Sequence, residues 1–313
     1  MADLEFWKNK RVLVTGGGGF LGSYVVENLM AIRGVPAEHI VVPRSKSFDL
    51  REPDVCLQIT RGCNVVIHLA AVTGGISFSR SHPASQYRDS TQIDLNMAEA
   101  ARRVGVRKMV AIGNLFAYAP EVPLPLTEEY LFAGLPAVEH RGVGWLKRNL
   151  ALLADLYHRE YGLPMAVVYS ANAYGPRDSL DQAHAHVIPS LIMKCFREKE
   201  LRVWGDGTGT RDFLFASDIA EGIVLAVEKF AAPDFVNIGS ESEISIRELV
   251  DLIVDCTGFS GKVTYESAKA GGDTRRVAST AKARRLLGFR PKIEIKEGLR
   301  RTIEWYRQQM ASL

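Results

Sequence analysis

A turn rich in glycine, TGGGGFLG at residues 15–22, has the spacing that most directly suggests chemistry. Its glycines at 16, 19 and 22 follow a β-branched run at residues 11–15 and precede a stretch with helical periodicity. In such a strand–turn–helix unit, Gly16 permits the tight turn, Gly19 lets the backbone approach a pyrophosphate at the helix N-terminus, and Gly22 lets the helix pack closely on the strand. The turn therefore predicts a dinucleotide-binding site.

The residues after the second predicted strand indicate which dinucleotide binds. An NAD site usually places an acidic residue there to hold the ribose 2′-hydroxyl. This chain has Arg44 and Lys46 at that place, and no acidic residue before Asp49. Because both cations could pair with a 2′-phosphate, the sequence predicts NADP(H), with NAD(H) as the less favoured cofactor. The alternative is that both are solvated surface cations.

The elements that must position this turn alternate between strand and helix through the first half of the chain. Strands are predicted at residues 11–15, 39–43, 64–70, 109–114 and 165–171, and helical patterns separate them. This alternation predicts βαβ units and a parallel sheet. We therefore expect an α/β fold with a Rossmann-type, doubly wound parallel sheet covered by helices on both faces.

The second half of the chain has a less regular pattern, in which short strands such as LRVWG and KVTYE are mixed with helices. We predict an NADP(H)-binding Rossmann domain at residues 1–170 and a smaller mixed α/β substrate-binding lobe at residues 171–313. Segments around residues 212–238 are expected to return to the Rossmann domain.

The composition sets limits on the class of protein. The chain has 313 residues, of which 47% are hydrophobic and 24% are charged, as in an ordinary globular enzyme. Its net charge of +3 is too small to indicate a nucleic-acid or anionic-membrane partner. No apolar run reaches the ~18–20 residues of a membrane span, and the four cysteines lack the spacing of a zinc site. We expect a cytoplasmic protein with reduced thiols and no metal.

Further motifs are spread over nearly the whole chain. They are FDL (48–50), VVIHLAA (65–71), GGI (74–76), NAYGP (172–176), HVIPSLI (186–192), VWGDGTGTRDFLFASDIA (203–220) and NIGS (237–240). Together with the glycine turn they resemble the extended short-chain dehydrogenase/reductases, also called NAD-dependent epimerase/dehydratases, and within them the GDP-L-fucose synthases. The resemblance implies an oxidoreductase that binds a nicotinamide cofactor.

The resemblance also implies contacts for individual residues. Besides the glycines, Arg44 and Lys46, the implied cofactor contacts are Phe20, Leu21, Asp49, Leu50, Leu69, Ala70, Ala71 and Lys147, with Asp49 and Leu50 near the adenine. The implied substrate contacts are Thr73, Phe116, Val143, Asn172, His186, Trp204 and Arg211, with Arg211 facing a diphosphate.

The catalytic positions depart from the family pattern. The family has a Ser or Thr four residues before a tyrosine that corresponds to Tyr118, and this position is Asn114 here. The lysine of the YxxxK motif is kept as Lys147, but the tyrosine position is Val143, and an asparagine of the preceding helix is replaced by Ser90. The tyrosine normally transfers a proton at the reacting carbonyl, and a positioned general acid contributes about 10²–10⁴ in rate.

Other residues could still take part in catalysis. Lys147 can hold the ribose, Asn114 can donate a hydrogen bond to a developing oxyanion, and Tyr118 or His186 could supply a proton. The alternative is that His186 is a structural histidine and that Tyr118 only packs at a strand end. The fucose-synthase acid/base pair is incomplete, because its histidine corresponds to His186 but its cysteine to Phe116. Epimerisation needs two proton carriers, so this loss argues against it.

Three functions remain open from the sequence. The main hypothesis is an atypical NADP(H)-dependent ketoreductase without the usual tyrosine. It resembles the simocyclinone ketoreductase in that defect, which suggests a polyketide-antibiotic pathway. The second is a nucleotide-sugar epimerase, dehydratase or reductase, supported by Asn172, Trp204 and Arg211. The third is a non-catalytic NADP(H)-binding sensor or scaffold. A homodimer through the helices at residues 91–104 and 143–160 is expected from fold analogy alone.

Overall fold

The structure is a computed structural model that describes residues 3–74, 76–181, 185–266 and 275–311. Its strands are β1 (Val12–Thr15), β2 (Ile40–Val41), β3 (Val65–His68), β4 (Lys108–Asn114), β5 (Met165–Ser170), β6 (Asn172–Tyr174), β7 (Glu200–Trp204), β8 (Thr210–Arg211), β9 (Phe213–Phe215), β10 (Asp234–Ile238), β11 (Ile244–Ser245) and β12 (Lys262–Glu266). Its α-helices are α1 (Leu4–Trp7), α2 (Phe20–Ala31), α3 (Pro53–Thr60), α4 (Ile76–Ser81), α5 (Pro83–Val104), α6 (Arg141–Tyr161), α7 (Val187–Arg197), α8 (Ala216–Lys229), α9 (Ile246–Thr257), α10 (Ala281–Leu287) and α11 (Ile295–Ala311).

A six-stranded sheet forms the larger part of the molecule. Its strand order is β10-β5-β4-β3-β1-β2, and every neighbouring pair runs parallel. The predicted Rossmann-type α/β fold is thus confirmed. The order reverses between β1 and β3, and the crevice at the carboxyl ends of strands at such a switch point is where ligands bind in open α/β sheets.

Burial of both sheet faces explains the apolar composition of the central strands. All residues of β1, β3 and β5 are buried, as expected of a parallel sheet that helices cover on both sides. Helix α2 packs against α8, while α5 packs against both α3 and α6. The second strand is shorter than the sequence predicted, since only two residues of the apolar run pair with β1.

The second half of the chain contributes to both parts of the molecule. Strand β10 lies at the edge of the large sheet beside β5, and α8 packs on α2. The pairs β7–β12, β8–β11 and β6–β9 form three small sheets, and a second apolar core lies beneath α7, α9 and α11. Among the helices that the structure describes, none has the length and apolar character needed to cross a membrane.

Candidate active site

The glycine turn has the geometry that a bound pyrophosphate requires. Gly16 has φ +70°, a conformation that side chains rarely adopt. A Cβ on Gly22 would lie 2.1 Å from the Gly16 carbonyl oxygen, so only glycine allows α2 to begin this close to β1. Gly19 is the exposed N-cap of α2, and Phe20 and Leu21 open the first helical turn. The turn therefore fits a dinucleotide, with the unpaired N–H groups of the helix facing its phosphates.

The predicted 2′-phosphate ligands differ in their position. The Arg44 guanidinium lies over the turn, because a Cβ on Gly18 would be only 1.6 Å from its Nη1 atom. Lys46 is exposed on the segment that follows. Asp49 pairs with Arg51 at 2.6 Å, and this hydrogen bonding lowers the pKa of Asp49 to about 2. The Leu50 side chain is buried in the core, so only its backbone could face an adenine.

A buried polar network joins the ends of β1 and β3. The Thr15 hydroxyl lies 2.7 Å from His68 Nδ1, and His68 Nε2 lies 3.0 Å from the Asp94 carboxylate on α5. The Thr15 oxygen also accepts hydrogen bonds from the backbone N–H groups of Leu69 and Ala70, at 3.2 and 3.3 Å. These bonds fix the backbone that borders the glycine turn. The sequence analysis missed His68 and Asp94, although both lie within segments it examined.

The kept lysine is held at the end of β4. Lys147 Nζ donates a hydrogen bond of 2.9 Å to the Ile112 carbonyl oxygen. Burial lowers the pKa of Lys147, and the negative charge of Asp94 opposes that shift. The Ser90 hydroxyl accepts a hydrogen bond of 3.1 Å from the Val72 N–H and so holds the loop that contains Ala71 and the exposed Thr73. Ser90 therefore stabilises the backbone of this loop through its own hydrogen bond.

Asn114 and Val143 are the residues predicted to occupy the places of the family's serine and tyrosine. The Asn114 side-chain oxygen accepts a hydrogen bond of 3.1 Å from the Phe116 N–H. Its Nδ2 group is left as a donor for a substrate oxygen. Val143 is half-buried one helical turn before Lys147 and lines a cavity of about 210 Å³. A valine can shape this cavity but cannot transfer a proton.

The structure does not place Tyr118 as a proton donor. Its side chain is fully buried, and its hydroxyl donates a hydrogen bond of 2.8 Å to the Asn237 side-chain oxygen. Burial raises the pKa of Tyr118 well above its usual value. This phenol lies in the core between β4 and β10, a position that favours the packing alternative, and the catalytic role of Tyr118 stays a prediction.

His186 is exposed at the N-terminus of α7. Its Nδ1 atom lies 3.2 Å from the buried Asp178 carboxylate, and this contact raises the pKa of His186. Among the described residues, no hydrogen bond or ion pair joins His186 to Asn114 or Lys147. Its part in the site stays a prediction.

The substrate side of the site contains two arginines. Arg211 lies half-buried on β8, where burial lowers the pKa of its guanidinium and its Nη1 donates to the Thr210 carbonyl oxygen at 2.7 Å. Arg276, which the sequence analysis missed, is buried with its guanidinium 5.1 Å from the centroid of the Phe116 ring. Burial, and then repulsion from Arg211, lower the pKa of Arg276 to about 10.

Two further predicted substrate residues, Asn172 and Trp204, come before these arginines in the chain. Asn172 Nδ2 donates a hydrogen bond of 3.0 Å to the Asp212 carbonyl oxygen, which ties β6 to β9. Trp204 is exposed at the end of β7. The indole therefore offers an open face, whereas Asn172 is already engaged in the framework.

A histidine that the sequence analysis missed lies beside Phe116. His140 ends a 3₁₀ turn immediately before α6, and its ring centroid is 4.0 Å from that of Phe116. It lines the same 210 Å³ cavity as Val143. Its place three residues before the tyrosine position is the only signal of it in the sequence.

Comparisons with known proteins agree with this geometry. The model of the NAD dependent epimerase/dehydratase family matches residues 12–239. A probable GDP-L-fucose synthase of Oryza sativa is 30% identical over 97% of this chain and 94% of its own length. A GDP-L-colitose synthase of Yersinia pseudotuberculosis is 26% identical over 95% of this chain and 97% of its own length. A solved structure of a GDP-L-fucose synthetase from Naegleria fowleri bound to NADP superposes with a TM-score of 0.88 at 25% identity, over 97% of this chain and 95% of that chain.

These matches extend over both parts of the molecule and include the glycine turn, the β3 segment and the substrate-side motif around Arg211. The family was predicted from the motifs and is confirmed. The predicted NADP(H) agrees with the cofactor in the Naegleria structure. The chain belongs to the NAD-dependent epimerase/dehydratase family.

Proposed function

We propose that this protein is an NADPH-dependent reductase that reduces the keto group of a nucleotide-linked sugar, of which GDP-linked sugars are the best candidates. Relatives that match this chain over nearly its full length act, by their names, on GDP-linked sugars. This favours the nucleotide-sugar alternative over the natural-product ketoreductase that was the main prediction from the sequence.

The observation that most supports a diphosphate-containing substrate is the environment of the Arg211 guanidinium. Its guanidinium is desolvated, and no carboxylate of the described residues forms an ion pair with it. A buried cation without a counter-charge is costly. A diphosphate supplies that charge and can accept two parallel hydrogen bonds from one guanidinium. An aromatic ketone would leave this cation uncompensated.

The proton machinery for epimerisation is incomplete, so we propose reduction alone. Inversion at a carbon beside a carbonyl requires one group to remove a proton on one face and a second group to return it on the other. Phe116 replaces the cysteine of the fucose-synthase pair, and its ring packs between His140 and Arg276. Since phenylalanine exchanges no proton, only one member of the pair is left.

The chain's own residues fit the cofactor. The glycine turn would hold the pyrophosphate, Arg44 the 2′-phosphate and Lys147 the ribose, while Asn114 Nδ2 would orient the substrate carbonyl. NADPH supplies the hydride when it is bound. Because Val143 cannot supply the proton that the family's tyrosine transfers, another group of the site has to supply it.

A substrate panel tests the proposal. Purified protein and NADPH are mixed with GDP-linked keto sugars, UDP-linked keto sugars and aromatic ketones, and absorbance at the nicotinamide band is followed. We expect oxidation of NADPH with a GDP-linked keto sugar and none with aromatic ketones. Arg211→Gln should raise KM for the sugar nucleotide at least tenfold, because an amide replaces a charge-assisted contact worth about 1.5–3 kcal/mol. Preference for an aromatic ketone would contradict the proposal and restore the ketoreductase hypothesis.

We also propose a homodimer formed through α5 and α6. Leu152 and Leu156 of α6 are exposed on one face, 47% and 51% accessible, and Leu95 of α5 is 46% accessible. Exposed apolar side chains on two adjacent helices are typical of a surface that a second subunit covers.

A further inference from the structure

The imidazole of His140 lines the same cavity as Val143, the residue at the predicted tyrosine position. Its ring is tilted by 31° against the Phe116 ring at 4.0 Å between centroids. The backbone N–H of Phe116 donates a hydrogen bond to the side chain of Asn114, the residue at the predicted serine position. Phe116 therefore contacts both the imidazole and Asn114. Val143 follows His140 by one helical turn and lines the same cavity of about 210 Å³.

The described residues leave the His140 imidazole without a hydrogen-bond partner. Neither of its nitrogens forms a hydrogen bond or an ion pair with any residue the structure describes, whereas His68 and His186 each contact a carboxylate. At least one nitrogen of an imidazole always carries a proton. His140 therefore retains an N–H group that can donate a hydrogen bond to a substrate oxygen in the cavity.

Positive charges surround this imidazole. The charges of Arg276, of Arg80 at the end of α4 and of Arg211 on β8 disfavour its protonation, and the charge of Glu139 beside it favours protonation. Burial, followed by the charge of Arg276, lowers the pKa of His140 to about 4. At neutral pH the imidazole is uncharged before substrate binds, and an uncharged imidazole is a poor acid.

A diphosphate changes this balance. Its negative charges on Arg211 offset the arginines that repel a proton from His140. A nearby opposite charge favours the protonated form of an imidazole. The diphosphate that Arg211 would recognise would therefore also raise the pKa of His140.

We propose that His140 is the catalytic proton donor of this enzyme in place of the absent tyrosine, and that the bound diphosphate of the substrate increases the fraction of His140 that is protonated. The inference rests on the proposed reductase function. The carbonyl carbon gains a hydride from NADPH, which becomes NADP⁺, and the carbonyl oxygen gains the proton of the imidazolium. The C=O bond becomes CH–OH, and the neutral imidazole regains a proton from solvent.

One arm of the test measures turnover. His140→Gln keeps a hydrogen-bond donor but cannot transfer a proton. We expect kcat to fall by about 10²–10⁴ with a GDP-linked keto sugar, while the Kd values for NADPH and GDP change less than threefold. The matched control is His158→Gln, at the opposite end of α6, which should keep kcat within threefold.

The second arm needs neither cofactor nor activity. The full-length protein is labelled with ¹⁵N-histidine, and the His140 resonance is assigned by its absence in His140→Gln. Without ligand, the titration midpoint should lie below the ordinary value of about 6.5. Saturating GDP should raise it by about one pH unit or more, whereas guanosine, which lacks the diphosphate, should leave it unchanged.

The outcomes separate this inference from the proposed function. If His140→Gln keeps kcat within threefold of the wild type, or if GDP does not raise the midpoint, His140 is not a proton donor prepared by a diphosphate. If the wild type reduces no nucleotide-linked keto sugar, the proposed function fails, and the titration alone then decides between a diphosphate-sensitive His140 and an inert one.

Discussion

Lys147 and Val143 lie one helical turn apart on α6, and they show how this site differs from its family. Lys147 is fixed by its bond to Ile112 and by the nearby charge of Asp94, so the ribose side of the site is preserved. Val143 has no hydroxyl, and it lines a cavity that His140 also borders. In our proposal the residues that bind are kept, and His140, from the turn before α6, takes over the proton transfer of the tyrosine.

We expect Arg44 to decide the cofactor preference, because its guanidinium lies over the glycine turn. Arg44→Ala should weaken NADPH by about 10- to 100-fold, because a charge-assisted hydrogen bond is worth about 1.5–3 kcal/mol. NADH, which has no 2′-phosphate, should change less than threefold. Lys46→Ala is the matched control, since Lys46 is exposed on the same segment, and it should have a small effect. Fluorescence titration with both dinucleotides checks this, and equal losses for NADPH and NADH in Arg44→Ala would contradict the assignment.

The sequence could locate residues whose role follows from local spacing, and it missed those that only the fold brings together. The glycine turn, Arg44 and Lys147 were predicted because each lies in a short motif. Arg276 reaches Leu115 across 161 positions of the chain, and no local pattern marks such a contact. The position of Tyr118 in a motif likewise gave no sign of its burial or of its hydrogen bond to Asn237.

At the scale of elements, α2 is the helix that the site depends on most. Its first residues form the phosphate-binding turn, and its far end is held against α8 by a buried charge cluster. The Arg33 guanidinium, fully buried, forms ion pairs with Glu228 at 2.9 Å and with Glu221. The alternation of strands and helices predicted α2, but the sequence could not show that a helix two hundred residues later anchors it.

This cluster should make a large contribution to stability. Arg33→Met leaves the buried Glu228 carboxylate without its counter-charge and should reduce the free energy of unfolding by about 3–5 kcal/mol. Arg159→Met is the control, because Arg159 pairs with Asp155 on the exposed face of α6 and should cost less than about 1 kcal/mol. Urea unfolding measures both. An unchanged urea midpoint for Arg33→Met would contradict this prediction. It would show that apolar packing of the methionine compensates for the lost ion pairs.

At the scale of the whole molecule, the active site lies where two cores meet. The Rossmann part supplies the glycine turn between β1 and α2, Asn114 at the end of β4 and Lys147 of α6, while β8 beside the second core supplies Arg211. The two-part organisation was visible in the sequence as a change from regular to irregular patterning. The path of the chain is more interleaved than a boundary at residue 170, because β10 completes the large sheet.

The proposed dimer surface can be tested on the same scale. The double change Leu152→Glu and Leu156→Glu places two charges on the exposed face of α6 and should convert a dimer to a monomer. Leu286→Glu on α10, also exposed, should have no effect on the molecular mass in solution. Light scattering after gel filtration gives that mass. A wild-type monomer, or a dimer that survives the double change, would contradict the surface we propose.

Reduction without epimerisation is the central claim, and isotope incorporation tests it most directly. The GDP-linked keto sugar is converted in D₂O with NADPH, and the product is examined by mass spectrometry and NMR against a sample without enzyme. We predict no enzyme-dependent deuterium at the carbons beside the former carbonyl, and deuterium at the carbonyl carbon only when the NADPH itself is deuterated at its transferring position. Enzyme-dependent deuterium at a neighbouring carbon would show a working pair of proton carriers, and it would contradict the claim.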